Sequence, residues 1–130
     1  MARLPKVAGL VFCESLDFGT APGHLSLQRL FNARGYDTFP TPPDDFAVYS
    51  ALYGEKQEGK LELVATHLET EQEVFSHARW FYLTGEGLTS HILFGVRRIS
   101  FPTEGRYVFS MRFDNETLTR RVLEVYQKRS

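Results

Sequence analysis

The sequence predicts an all-β fold, an antiparallel two-layer β-sandwich of about eight strands with an immunoglobulin-like arrangement. Aromatic residues make up 14% of the 130 residues, and such side chains favour strands over helix surfaces. Turn residues recur at short intervals, for example at 19–23, 40–45, 85–87 and 102–105. The length fits one domain over residues 1–130, because typical domains have about 100–150 residues.

The clearest strand is predicted over residues 106–113. Large apolar residues occupy every second position there, namely Tyr107, Phe109, Met111 and Phe113. A period of two places them on one face of a strand, toward a core. Asp114 and Asn115 follow, and both tolerate a positive φ angle. The pair therefore predicts a tight hairpin turn into a returning strand.

A second segment, residues 46–53, is apolar on both of its faces. Phe46, Val48 and Leu52 would lie on one face, and Ala47, Tyr49, Ala51 and Tyr53 on the other. This pattern predicts a strand that is central in its sheet or covered on both sides.

Three segments, residues 26–34, 70–83 and 117–126, fit either a helix or a strand. Thr70 and Glu73 could form a helix capping box. As a strand, the middle segment places Trp80 and Tyr82 on one face and Phe81 on the other. We favour strands for all three, because a hairpin turn precedes the last one and an isolated helix fits poorly among short strands.

Composition and charge disfavour two classes of partner. Charged residues make up 24% of the chain, and the formal net charge is -1. A nucleic-acid binder would show a basic excess, and so would a polybasic membrane anchor. The apolar run over 7–13 is shorter than the roughly 20 residues of a membrane helix. We therefore expect neither a nucleic-acid nor a membrane partner.

The single cysteine, Cys13, excludes an intramolecular disulfide. It lies in an apolar run and is interpreted as a small buried residue. A reactive thiol would need an activating base, and the local sequence offers none. Together with the absence of a signal-peptide pattern, this predicts a protein of the reducing cytoplasm.

Residues 101–107 carry a local pattern, Phe101-Pro102-x-x-Gly105-x-Tyr107. It resembles the tyrosine corner of immunoglobulin-like and fibronectin type III-like sandwiches, in which the tyrosine hydroxyl bonds to the upstream backbone. The Cys…Trp…Cys pattern of true immunoglobulin domains is missing, so the resemblance implies the architecture alone.

Further features extend over nearly the whole chain: Leu25-Ser26-Leu27 after a glycine-containing turn, Phe39-Pro40, the apolar segment 46–53 and the 101–109 pattern. With these features the chain is similar to an uncharacterised bacterial family of small stand-alone β-sandwich proteins, a domain of unknown function. That resemblance implies a β-sandwich and no assigned activity.

The sequence offers one weak candidate for a metal site. His67, Glu69 and Glu71 are two residues apart and would share a strand face, where they could contact a divalent ion. A solvated strand end running into a turn accounts for them equally well, and no further ligand is evident. No phosphate-binding loop and no nucleophile elbow is present. We therefore assign no catalytic residue, metal ligand or cofactor, and an enzyme is disfavoured.

The consecutive aromatic residues 80–82 are the candidate partner surface. Either Trp80 and Tyr82 project outward with Phe81 buried, or the reverse holds. Exposed aromatic clusters mark binding surfaces. The leading prediction is thus a non-catalytic protein-interaction or self-association module that uses Trp80 and Tyr82. The alternatives are a sandwich that binds a carbohydrate or other small molecule and, below it, a metal-dependent enzyme.

Overall fold

The computed structural model describes residues 2–20, 24–85 and 87–129, and within them the chain contains strands joined by turns and loops, with no helix. The turns predicted at 19–23 and 85–87 lie partly outside the described residues. These described residues form ten strands, which confirms the predicted all-β class. The strands are β1 (Lys6–Val7), β2 (Val11–Asp17), β3 (Ser26–Phe31), β4 (Ala33–Tyr36), β5 (Asp44–Tyr53), β6 (Gln57–His67), β7 (Glu73–Leu83), β8 (Ser90–Ile99), β9 (Gly105–Phe113) and β10 (Glu116–Gln127).

The strands form two five-stranded sheets. In the first sheet β8 pairs with β5 along one edge, while β1 and β2 pair with different parts of β5 and β3 pairs with β2. The second sheet has the order β4-β10-β9-β6-β7. The segment 46–53 is thus a central strand, as its sequence predicts.

The inner faces of the two sheets pack against each other and form the core. The ring of Phe109 in β9 lies 5.0 Å from that of Phe12 in β2 and 6.0 Å from that of Phe46 in β5. Phe109 is fully buried, as are Tyr107 and Met111 on the same face of β9. The predicted alternation of residues 106–113 is therefore confirmed, and the architecture is sandwich-like.

The predicted hairpin at Asp114 and Asn115 is also present. The two residues have φ angles of 47° and 69°, and Phe113 pairs directly with Glu116 across the turn. The Asp114 Oδ1 atom also accepts a hydrogen bond of 2.8 Å from the Lys60 amide. The turn thereby joins β9 to β10 and anchors both to the start of β6.

Two of the ambiguous segments are single strands, as we expected: residues 70–83 contain β7, and residues 117–126 lie within β10. The segment 26–34 is different, because it divides at Asn32 into the whole of β3 in one sheet and the start of β4 in the other.

This division corrects two details of the prediction. The structure has ten strands where we expected about eight. The β4–β10 pair is parallel, so the sheets are not purely antiparallel. Asn32 is the residue at which the chain passes from one sheet to the other. Its backbone carbonyl accepts a hydrogen bond from the Glu124 amide, and its side chain accepts one from Arg121. Both partners lie about 90 residues away, out of reach of a local pattern.

Candidate functional site

Strand β7 is the outer strand of the second sheet. It is 11 residues long, and among the described parts of the chain it pairs with β6 alone. Its other edge therefore presents backbone N–H and C=O groups that a further strand could use.

Trp80 and Tyr82 project outward from β7. Their side chains are 55% and 65% exposed, while Phe81 turns toward the core and is half-buried. The first of the two arrangements considered from the sequence is thus the one in the structure. Residues two apart on a strand are about 7 Å from each other, so the two rings form one aromatic surface. We call Trp80, Tyr82 and the free edge of β7 the β7 surface.

The inner side of β7 carries charge where a central strand would be apolar. The guanidinium of Arg79 lies 4.7 Å from the centroid of the Phe94 ring, and burial lowers the pKa of Arg79. The ring of His77 meets Phe94 edge-on at 6.1 Å. Inward-facing charged residues are one way in which edge strands avoid unspecific pairing. The inner side of β7 thus has a feature that disfavours unspecific strand pairing.

His67 serves the structure of a turn at the end of β6. It is buried at the end of β6, where its Nδ1 atom accepts hydrogen bonds from the Glu69 and Thr70 amides at 3.1 and 3.2 Å. A nitrogen used in this way holds the turn and has no lone pair left for a metal. Glu69 and Glu71 follow the strand end, so the shared strand face expected for the three residues does not exist.

The region around His67 is also closely packed. A Cβ atom placed on Gly105 would lie 2.7 Å from the Nε2 atom of His67, so this position needs glycine. Across residues 2–20, 24–85 and 87–129, no group of three or more His, Cys, Asp or Glu side chains is arranged to hold a metal ion.

A second site, absent from the sequence analysis, lies where β4 meets the start of β5. The Asp44 carboxylate accepts a 2.6 Å hydrogen bond from the Tyr36 hydroxyl and a 3.1 Å bond from the Nε atom of Arg34. Arg34 also donates from Nη1 to Glu14 in β2, at 3.2 Å. Its guanidinium lies 4.6 Å from the centroid of the Phe31 ring. We call Tyr36, Asp44, Arg34 and Glu14 the Arg34 cluster.

The cluster shifts the proton affinity of its members. Burial tends to raise the pKa of Asp44, but the hydrogen bonds from Tyr36 and Arg34 outweigh it and leave that pKa below its ordinary value. Burial, together with the bond to Asp44, raises the pKa of Tyr36 above its usual range. Asp44 thus stays ionised and Tyr36 stays protonated near neutral pH.

Sequence reasoning missed the Arg34 cluster for a physical reason. Its members come from β2, β4 and β5, and no fixed spacing connects them. Asp44 follows two prolines, and this context predicts a turn residue, which is the commonest role of aspartate there.

Cys13 is fully buried, as predicted, and burial raises the pKa of its thiol. A buried thiol of raised pKa is a poor nucleophile.

No protein-family model matches the chain, and no curated protein matches it. Within the described residues, no helix is long and apolar enough to cross a bilayer.

Proposed function

We propose that this protein is a non-catalytic interaction module that binds a protein partner, or a second copy of itself, through the β7 surface. The observation that carries the proposal is the pair of exposed aromatic side chains, Trp80 and Tyr82, beside the unpaired edge of an 11-residue strand.

The two parts of the surface supply different kinds of binding energy. The free backbone groups of β7 can hydrogen-bond to an extended segment of the partner, which gives affinity with little sequence preference. Trp80 and Tyr82 are large, rigid and amphipathic, and such residues dominate the energetics of interfaces. The occupant we propose is therefore an extended protein strand laid along β7, with its side chains against the two rings.

The test compares three forms of the tagged protein as baits in its host's lysate, with mass spectrometry as the readout. Wild type and a Trp80→Ala, Tyr82→Ala double variant are joined by Phe18→Ala, a control whose ring is 59% exposed but lies outside β7. We expect a stoichiometric partner with wild type and with the control, and its loss with the double variant. Equal recovery by all three baits would overturn the proposal.

Self-association needs its own measurement. Light scattering coupled to size exclusion, over a concentration series, gives the mass in solution. A dimer that the double variant converts to monomer supports pairing between copies through β7. A monomer at all concentrations, combined with recovery of the bait alone from lysate, would refute the interaction module.

We further propose that the sandwich is immunoglobulin-like and that the protein works in the cytoplasm of a bacterium, in the uncharacterised family that it resembles. The Tyr107 hydroxyl donates a 2.6 Å hydrogen bond to the Thr103 carbonyl, which supports the tyrosine-corner reading of residues 101–107. The chain has a single cysteine, which is buried and can form no intramolecular disulfide, and this usage is compatible with a reducing compartment.

A further inference from the structure

An open cleft of about 560 Å³ lies beside the Arg34 cluster, between β4, the start of β5 and the residues after β10. Sites for small molecules have volumes of roughly 300–1,000 Å³. Phe31, Pro42 and Pro43 provide apolar walls, while Arg34 and Lys128 bring positive charge to the same space. The cleft thus combines a place for an apolar body with a place for a polar group.

Four charged side chains line the cleft, and they differ in how far they are already paired: Arg34, Lys128, Glu14 and Asp44. Asp44 pairs with Arg34 at 3.1 Å, and Glu14 pairs with both Arg34 and Arg29 at 3.2 and 3.4 Å. Lys128 forms no ion pair with any residue that the structure describes. Arg34 engages both carboxylates that line the cleft, and Lys128 is the lining cation that pairs with neither of them.

Arg34 also retains donors. An arginine has five N–H groups, and the bonds of Arg34 to Asp44 and Glu14 use three of them. One N–H remains on each terminal nitrogen. Because Asp44 and the Phe31 ring hold the guanidinium plane in place, these donors are oriented before any ligand arrives.

We propose that the cleft binds a small organic anion whose carboxylate accepts hydrogen bonds from Arg34 and Lys128 and whose apolar part packs on Phe31, Pro42 and Pro43. A cation is disfavoured, because each carboxylate is already engaged by an arginine and Lys128 would repel it. The site is independent of the β7 surface, since β4 and β7 are opposite edges of the second sheet.

The test is a titration at low ionic strength with three probes of nearly equal shape, followed by backbone-amide NMR. The probes are benzoate, neutral benzamide and benzylammonium. We expect benzoate to shift the amides of residues 33–36 and 44 in a saturable manner, and the other two to bind at least about tenfold more weakly, because charge-assisted hydrogen bonds are about twice as strong as neutral ones. Benzylammonium binding as tightly as benzoate would overturn the assignment of charge.

A pair of variants separates a specific site from general attraction. Lys128→Met should weaken benzoate binding about tenfold, as expected for the loss of one hydrogen bond between charged groups. Lys60→Met removes the same charge on the outer face of the second sheet and should leave benzoate binding unchanged. No saturable shift with wild type, or equal binding by both variants, would overturn the proposal. Neither variant touches the Arg34 cluster's own bonds, so folding is preserved.

Discussion

Strands β9 and β7 lie in the same sheet, pair with opposite edges of β6, and both carry aromatic residues at alternate positions. On β9, Tyr107 and Phe109 are fully buried. On β7, Trp80 and Tyr82 are 55% and 65% exposed. Two strands of similar composition thus have opposite relations to solvent.

The difference teaches that an aromatic alternation identifies a strand but does not say which face is covered. On β9 the aromatic face meets the first sheet. On β7 the inner positions are held by Phe75, His77, Arg79 and Phe81, which lie opposite inner residues of β6, and the largest rings face outward. We therefore expect the aromatic residues of β9 to contribute much more to the free energy of unfolding than Trp80 and Tyr82 do.

The largest expected effect is the loss of a core ring from β9. Phe109→Ala should lower the free energy of unfolding by about 3–5 kcal/mol, because the ring contacts both Phe12 and Phe46 and leaves a cavity. Trp80→Ala is the matched change on β7, and it should cost only about 0.5 kcal/mol. Urea denaturation measures both, and similar costs for the two variants would break the comparison.

A smaller difference in unfolding free energy is expected when the tyrosines of the two strands, Tyr107 and Tyr82, are changed to phenylalanine. Tyr107→Phe removes the hydroxyl bonded to the Thr103 carbonyl and should cost about 1 kcal/mol. Tyr82→Phe removes an exposed hydroxyl and should leave the unfolding free energy unchanged. Thermal denaturation of both variants is the check, and an unaltered midpoint for Tyr107→Phe would show that the bond is energetically neutral.

The turn after β9 provides a further contrast with β7, whose register depends on β6 alone. Asn115 has a φ of 69°, so Asn115→Ala should destabilise the protein by about 1 kcal/mol through backbone strain. Asn115→Gly relieves that strain and is the control, with a smaller or opposite effect expected. Chemical denaturation would contradict the strain argument if alanine and glycine behaved alike.

The smallest expected effect is the loss of stability at low pH. It comes from Asp44 at the start of β5, and not from the buried face of β9. The pKa of Asp44 is lowered from 3.8 in the folded protein, so its contribution to stability is present above that pH and is lost as the pH falls through the folded value. Wild type should therefore lose more stability than Asp44→Asn between pH 6 and about 3. Parallel stability curves for the two proteins would contradict this role of Asp44.

Much of the fold was predictable, because its strands and turns are determined by patterns of neighbouring residues. The alternation at 106–113 gave β9 with its buried face, and Asp114-Asn115 gave the hairpin, since φ tolerance is a property of the residues themselves. The strand state of β7 followed from consistency with its neighbours, against a helical spacing that fits the same residues. The sequence also indicates Trp80 and Tyr82 as an exposed pair, but it leaves open whether they or Phe81 face the solvent.

The sequence by itself determined the all-β class, the central strand β5 and the turn that closes the β9–β10 hairpin, because these depend on neighbouring residues. Only the tertiary structure decided that the chain changes sheets at Asn32, that Trp80 and Tyr82 face outward, and that Arg34, Asp44 and Glu14 meet beside one cleft. Those outcomes depend on contacts between residues far apart in the chain, and local periodicity contains no information about which distant strand becomes a neighbour.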